Sequence, residues 1–170
     1  LSFEEKFSKI NNVKHVIGVG SGLDALIISL KALGLGEGDE VIVASNAYIA
    51  SWLSISNVGA KIVPVEPEPE TFNIDPNKIE EKITSKTKVI MPVHLFGQAC
   101  EMDQIMLIAK KHKLFVVEDN AQAHLAKHNN KLTGTFGTIN ATSFYPTKNL
   151  GAIGEAGCIL TDQIALKNYA

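Results

Sequence analysis

Apolar and polar residues follow two rhythms along the chain, and these rhythms predict its secondary structure. Apolar residues at helical spacing predict helices at 23–33, 47–57, 75–83 and 102–111. Short apolar runs typical of strands occur at 15–19, 40–44, 61–65, 88–93 and 114–118. Strands and helices therefore alternate over most of the chain.

The predicted strands indicate a sheet that is covered on both faces. Residues 41–43 and 115–117 are apolar at every position, which is typical of a helix-flanked, mostly parallel sheet. We therefore predict the α/β fold class. After residue 119 the elements become shorter, with a turn-rich stretch at 128–137 and strands near 141–144 and 157–160.

Composition restricts the possible partners. The 170 residues, 45% of them hydrophobic, fit one domain over 1–170 with a sizeable core. Sixteen basic and eighteen acidic residues give a net charge of −2, which favours neither nucleic acid nor a membrane surface. No apolar stretch reaches the ~20 residues of a membrane span. Cys100 and Cys158 are expected to be ordinary buried thiols of a cytoplasmic protein.

A glycine-rich turn, Gly18 to Gly22, follows the first strand and precedes a helix. Its small residues would let backbone N–H groups approach an anion, or would serve only strand-to-helix packing, and both interpretations stay open. A dinucleotide fingerprint is excluded, because Leu23 stands where its third glycine is required.

Polar residues also end two of the predicted strands. Asp119 lies where open α/β sheets bind ligands, or it caps a helix predicted at 120–126. His94 either faces a ligand or hydrogen-bonds inside the core. His124 and His128 have i, i+4 spacing, but no third metal ligand accompanies them and the predicted helix ends before His128, so we predict no metal site.

Lys148 lies in the most informative segment, a turn bounded by proline and glycine at 143–151. Such a lysine is usually a solvated surface charge. Its apolar neighbours at 144–145 and 150 would instead favour a neutral, nucleophilic amine.

Five segments together resemble the DegT-type nucleotide-sugar aminotransferases. They are Gly18 to Leu26, Gly36 to Ile42, Pro92 to Gly97, Glu118 to His124 and Ser143 to Gly151. The resemblance implies a pyridoxal-phosphate (PLP) enzyme of fold type I that works as a homodimer. It also implies that 1–170 is the large, cofactor-binding domain, with an N-terminal arm and a small C-terminal domain outside this chain.

The resemblance implies a role for each site residue. Lys148 would hold PLP as a Schiff base and act as acid and base, and Asp119 would pair with the pyridine nitrogen. Gln122 would lie near the ring's 3-hydroxyl. The remaining cofactor contacts implied are ring stacking by Tyr48 and phosphate binding by Gly22, Leu23 and Ser143. The family usually has Thr in place of Leu23, and members that act on 3-keto sugars resemble this chain in having Leu.

The activity that the resemblance implies is transamination of a nucleotide-linked keto sugar, with glutamate as the amino acid donor, for polysaccharide or glycoside biosynthesis. One alternative is a PLP-dependent sugar dehydratase, but such enzymes have His in place of the lysine, so Lys148 argues against it. Another is a non-catalytic, PLP-binding regulatory protein. The complete set Asp119, Gln122, Ser143 and Lys148 argues against that alternative.

Overall fold

A central sheet with helices on both faces organises the computed structural model, which describes residues 2–170. The elements in chain order are α1 (Phe3–Asn11), β1 (His15–Val19), α2 (Gly22–Ala32), β2 (Glu40–Ala44), α3 (Ile49–Asn57), β3 (Lys61–Val65), β4 (Thr87–Met91), α4 (Met102–His112), β5 (Phe115–Asp119), β6 (Lys127–His128), β7 (Lys131–Leu132), β8 (Ile139–Ser143), β9 (Gly157–Thr161) and α5 (Ile164–Tyr169).

The sheet has seven strands in the order β1-β9-β8-β5-β4-β2-β3. Strand β9 is antiparallel to both of its neighbours, and every other adjacent pair is parallel. The strands β6 and β7 form a separate two-stranded hairpin. The predicted α/β class and mostly parallel sheet are therefore confirmed.

Consecutive apolar residues in the strands serve two different cores. Val41 and Val43 pack with the apolar faces of α2 and α3, whereas Ile42 packs on the opposite face with α4. A third cluster joins Phe7 of α1 to Phe144 after β8. The apolar runs thus arise because helices cover the sheet on both faces.

Two predicted helices are wrong. The segment 75–83 forms two short 3₁₀ turns, Pro76–Lys78 and Glu80–Lys82, because its buried apolar residues Pro76 and Ile79 are three positions apart, the repeat of a 3₁₀ turn. The segment 120–126 forms turns. Its N–H groups at Ala123 and Ala126 donate to carbonyls only three residues back, and Leu125 has a left-handed φ of 63°, which a right-handed helix does not allow.

The absence of a helix at 120–126 removes one of the two interpretations of Asp119. Asp119 caps no helix, because turns follow it. His128 lies in β6, so it shares no helical face with His124, as expected from the predicted end of the helix before His128. Within residues 2–170, no group of three potential ligands could hold a metal ion.

Cys100, Cys158 and His94 are all buried. Both cysteines are free and buried, and burial raises the pKa of the Cys158 thiol to about 12. His94 belongs to the core: its Nε2 lies 2.9 Å from Glu118 Oε2, while its Nδ1 accepts the N–H of Cys100 at 3.0 Å. No helix in the described part of the chain is long and apolar enough to cross a membrane.

Glu118 is a fully buried carboxylate whose hydrogen bonds hold a turn against the sheet. Its Oε1 accepts the N–H groups of Phe136 at 2.6 Å and Gly137 at 2.7 Å, and its Oε2 accepts that of Gly134 at 2.7 Å. With His94 this makes four partners, which is the full capacity of two carboxylate oxygens. Burial of the charge is tolerated because every acceptor site is used.

We expect Glu118→Gln to lower the free energy of unfolding by ~3–5 kcal/mol, since the amide leaves backbone N–H groups without an acceptor inside the core. Denaturant unfolding measures the change. The exposed Glu101, which makes no side-chain capping bond, supplies the control, and Glu101→Gln should stay within ~0.5 kcal/mol of wild type. Equal stability of the two variants would contradict the role of Glu118.

Candidate active site

A cleft of about 810 Å³ opens at the carboxyl ends of β5 and β8, beside the amino ends of α2 and α3. All of the site residues predicted from the sequence line it: Gly22, Leu23, Tyr48, Asp119, Gln122, Ser143 and Lys148. Ligands of open α/β sheets bind at this edge, where neighbouring strands end. Residues up to 126 positions apart in sequence, Gly22 and Lys148 among them, thus surround one space.

Asp119 lies on the cleft side of β5 and is held by two donors. Its Oδ2 accepts the hydroxyl of Ser51 on α3 at 2.7 Å, and its Oδ1 accepts the N–H of Ala121 at 3.1 Å. The side chain is 96% buried, and each oxygen keeps one further acceptor site. The carboxylate is therefore fixed in direction and still able to accept a donor from the cleft.

The amino end of α2 provides donors for an anion. Ser21 caps the helix, its Oγ accepting the N–H of Asp24 at 3.0 Å, whereas the N–H groups of Gly22 and Leu23 have no acceptor within residues 2–170. Unpaired N–H groups at a helix start carry partial positive charge. The carboxylate of Asp24 lies at the same helix end, so anion binding here depends on directed N–H groups more than on net charge.

Ser143 packs directly against this helix start. A Cβ atom at Gly22 would lie 2.6 Å from the Cβ of Ser143, a separation that real side chains do not tolerate. The hydroxyl of Ser143 accepts the N–H of Tyr145 at 3.3 Å and donates to no acceptor in the described residues, so its hydrogen is available to a ligand. Glycine at position 22 thus keeps the hydroxyl and the helix N–H groups together.

Lys148 and Tyr48 both line the cleft and lie close together. The lysine Nζ lies 5.8 Å from the centre of the Tyr48 ring. Lys148 is half-buried, and its backbone N–H donates to the carbonyl of Tyr145 at 2.8 Å, which closes the turn that presents it. Tyr48 is the first residue before α3 and is 59% exposed.

Gln122 is oriented by a strained turn. Its Oε1 accepts the backbone N–H of Phe96 at 2.9 Å, so the two N–H groups of its amide are left for other partners. Phe96 has the left-handed φ of 57°, which is unfavourable for a large aromatic residue, and its side chain is 79% exposed. The turn therefore holds a conformation that lets its backbone bind Gln122.

His124 does not line the cleft. Its ring lies 5.6 Å from that of Phe144, both ring nitrogens are buried without a hydrogen bond, and desolvation lowers its pKa. The sequence interpretation missed Ser51, Thr147 and Glu155. Thr147 and Glu155 line the cleft, and Ser51 contacts Asp119. Only the position of Thr147 beside Lys148 gave a signal for any of them.

A mostly parallel sheet with a cleft at the carboxyl ends of its strands defines a ligand-binding α/β domain. The chain belongs to the DegT/DnrJ/EryC1/StrS aminotransferase family, whose model matches residues 1–170.

Two curated relatives and one solved structure show the likeness. The chain is 57% identical over 164 residues to dTDP-3-amino-3,6-dideoxy-alpha-D-galactopyranose transaminase of Aneurinibacillus thermoaerophilus, with 96% of this chain and 45% of the relative covered. It is 49% identical over 166 residues to a pleiotropic regulatory protein of Geobacillus stearothermophilus, at the same 96% and 45% coverage. The crystal structure of NtdA from Bacillus subtilis with bound cofactor PMP has a TM-score of 0.93 and 41% identity, covering 98% of this chain and 38% of that one.

The chain thus spans about 45% of the length of these two curated relatives. Each comparison covers at least 96% of this chain, so the similarity extends over the whole described sheet.

We expect Gly22→Ala to destabilise the chain by ~1–3 kcal/mol, because the new methyl group overpacks against Ser143 and pushes α2 from the sheet. Thermal unfolding provides the measurement. Gly36→Ala is the matched control, since a Cβ there meets nothing within 4 Å, and it should be neutral or slightly stabilising. A Gly22→Ala variant as stable as Gly36→Ala would refute the tight contact.

Proposed function

We propose that the chain is the PLP-binding large domain of a nucleotide-sugar aminotransferase. The observation that carries the proposal is the convergence on one cleft of a lysine amine, a buried carboxylate, an aromatic ring and a helix start with free N–H groups. The two ends of this cleft suit the two ends of PLP, a phosphate and a substituted pyridine ring.

The phosphate end fits the start of α2. The N–H groups of Gly22 and Leu23 and the hydroxyl of Ser143 would donate to phosphate oxygens, and only glycine at position 22 leaves room for them. A hydrogen bond to a charged group contributes about 1.5–3 kcal/mol, so three such donors are enough to anchor a phosphate.

The ring end fits the opposite wall. Asp119 would accept the hydrogen of a protonated ring nitrogen at its free acceptor sites, and the amide N–H groups of Gln122 would reach the ring's hydroxyl oxygen. Tyr48 would cover one face of the ring. Its ring centre lies 5.8 Å from the Lys148 Nζ, so the amine and the aromatic ring border the same part of the cleft and could both contact a bound pyridine ring.

Bound PLP supplies an electron sink for the carbanion of an amino acid. Asp119, as an anion next to the ring nitrogen, would keep that sink charged. Lys148 would attach the cofactor covalently and, once displaced by the donor amine, would move a proton between carbon atoms of substrate and cofactor as base and acid.

The acceptor proposed is a nucleotide-linked keto sugar, with glutamate as the amino acid donor and an amino sugar for polysaccharide or glycoside synthesis as the product. A 3-keto sugar is favoured, since Leu23 resembles members acting on such sugars and the relative at 57% identity is named for a 3-amino product. The protein is proposed to act in the cytoplasm.

A homodimer is proposed on the apolar rim of the cleft. Large apolar or aromatic side chains that are 43–59% exposed line the cleft: Tyr48, Ile49, Leu53 and Tyr145. Phe96, whose backbone contacts Gln122 of the cleft, is 79% exposed. An exposed cluster of this kind is typical of an interface. A second copy of the chain would cover it and complete the sugar site together with a C-terminal domain.

A regulatory role is the second candidate, because the relative at 49% identity is named a pleiotropic regulatory protein. The two candidates differ in turnover. The full-length protein loaded with PLP should convert glutamate to its keto acid, with loss of visible absorbance, and should regain that absorbance on addition of a nucleotide-linked keto sugar. A protein that binds PLP but carries out neither change would favour regulation.

In the full-length protein, Lys148→Ala should still bind PLP through the phosphate and ring contacts but should lower transamination by at least ~10²–10⁴-fold, because the proton-transferring amine is gone. Steady-state kinetics with PLP titration separates the two effects. Lys110→Ala removes an exposed lysine of α4 and should behave as wild type. Wild-type turnover in Lys148→Ala would reject the proposed function.

Asp119→Ala should weaken PLP binding by ~3–5 kcal/mol, since it removes one member of a buried pair and also leaves the Ser51 hydroxyl without its acceptor. Asp119→Asn keeps an oxygen for Ser51 and should retain most of the binding while losing turnover, because the negative charge next to the ring nitrogen is absent. Fluorescence titration with PLP and turnover assays would test both variants. Wild-type turnover in Asp119→Asn would show that the charge has no catalytic part.

A further inference from the structure

We infer that Ser51 is a positioning residue that sets the direction of the Asp119 carboxylate. The inference rests on the proposed function and extends it to a residue outside the cleft lining. Ser51 is fully buried on α3 and donates its hydroxyl to Asp119 Oδ2 at 2.7 Å across 68 residues of sequence.

The carboxylate of Asp119 has few other restraints. Strand pairing fixes its backbone, since the N–H of Asp119 donates to Pro92 and its carbonyl accepts from His94. Within residues 2–170, two hydrogen bonds reach the carboxylate, from Ala121 N–H at Oδ1 and from Ser51 at Oδ2. With Ser51 removed, the carboxylate keeps a single hydrogen bond and can pivot about it.

Ser51 also links the carboxylate to the wall of the cleft. It lies in the first turn of α3, and its N–H donates to the carbonyl of Tyr48 at 3.0 Å. Ser51 therefore donates its hydroxyl to the Asp119 carboxylate and its backbone N–H to Tyr48. Ser51 thus fixes the position of the Asp119 carboxylate relative to the start of α3, where Tyr48 lies.

The same helix provides a matched comparison. Ser54 is as fully buried as Ser51, and its hydroxyl donates to the carbonyl of Ser51 at 2.7 Å without touching Asp119. Ser51→Ala and Ser54→Ala each remove one buried hydroxyl and one hydrogen bond. Only the first removes a contact with the carboxylate.

The test uses the full-length protein loaded with PLP. Ser51→Ala should lower kcat roughly tenfold or more, with a smaller change in KM. The reason is that Asp119, the proposed partner of the ring nitrogen, loses a hydrogen bond to its charged carboxylate. It should also shift the pH midpoint of the visible absorbance of bound PLP. Ser54→Ala should match wild type in both measurements.

A near-isosteric variant and a stability measurement keep the test decisive. Ser51→Cys preserves the shape but donates weakly, so it should shift the midpoint in the same direction as Ser51→Ala even if the latter folds poorly. Thermal unfolding of all variants measures any purely structural loss. Equal kcat and equal midpoints for Ser51→Cys, Ser54→Ala and wild type would overturn the inference, whereas a wild-type protein that binds no PLP would overturn the proposed function as well.

Discussion

Two consecutive carboxylates, Glu118 and Asp119, end the central strand β5, and the rest of the structure depends on the hydrogen-bond donors that each meets on its own face of the sheet. Glu118 faces the α4 side, where four hydrogen bonds from His94 and the 134–137 turn use its full capacity. Asp119 faces the α2 and α3 side, where only part of its capacity is used. Successive side chains of a strand point to opposite faces of the sheet. Glu118 is therefore used in the structure, whereas Asp119 remains able to bind a ligand.

The remaining cleft groups are brought to Asp119 by the same sheet. Ser143 ends β8, the strand next to β5, and its contact with Gly22 joins the start of α2 to that edge. The hydrogen bond from Ser51 joins α3 to the same carboxylate. Asp119, Ser143 and Ser51 are all buried on elements packed against the sheet, so this part of the cleft has fixed positions for its polar groups.

Much of this could be predicted from the sequence, and the failures have physical causes. Apolar runs such as 41–43 indicated a doubly covered sheet because each residue serves one face. The family motifs indicated the residues that line the cleft. A helix at 120–126 was wrongly predicted because its pattern does not reveal the left-handed φ of Leu125, which interrupts a right-handed helix. The partnership of Ser51 with Asp119 joins residues 68 positions apart, and no local pattern reports such a contact.

The central claim is that the cleft holds PLP with its covalent attachment at Lys148, and chemical trapping tests it most directly. The full-length protein would be incubated with PLP, reduced with borohydride, digested and mapped by mass spectrometry. The account predicts one phosphopyridoxyl group, on the peptide that contains Lys148, since this is the lysine that lines the cleft. Labelling of a different lysine under the same conditions, or no stable label at all, would contradict it.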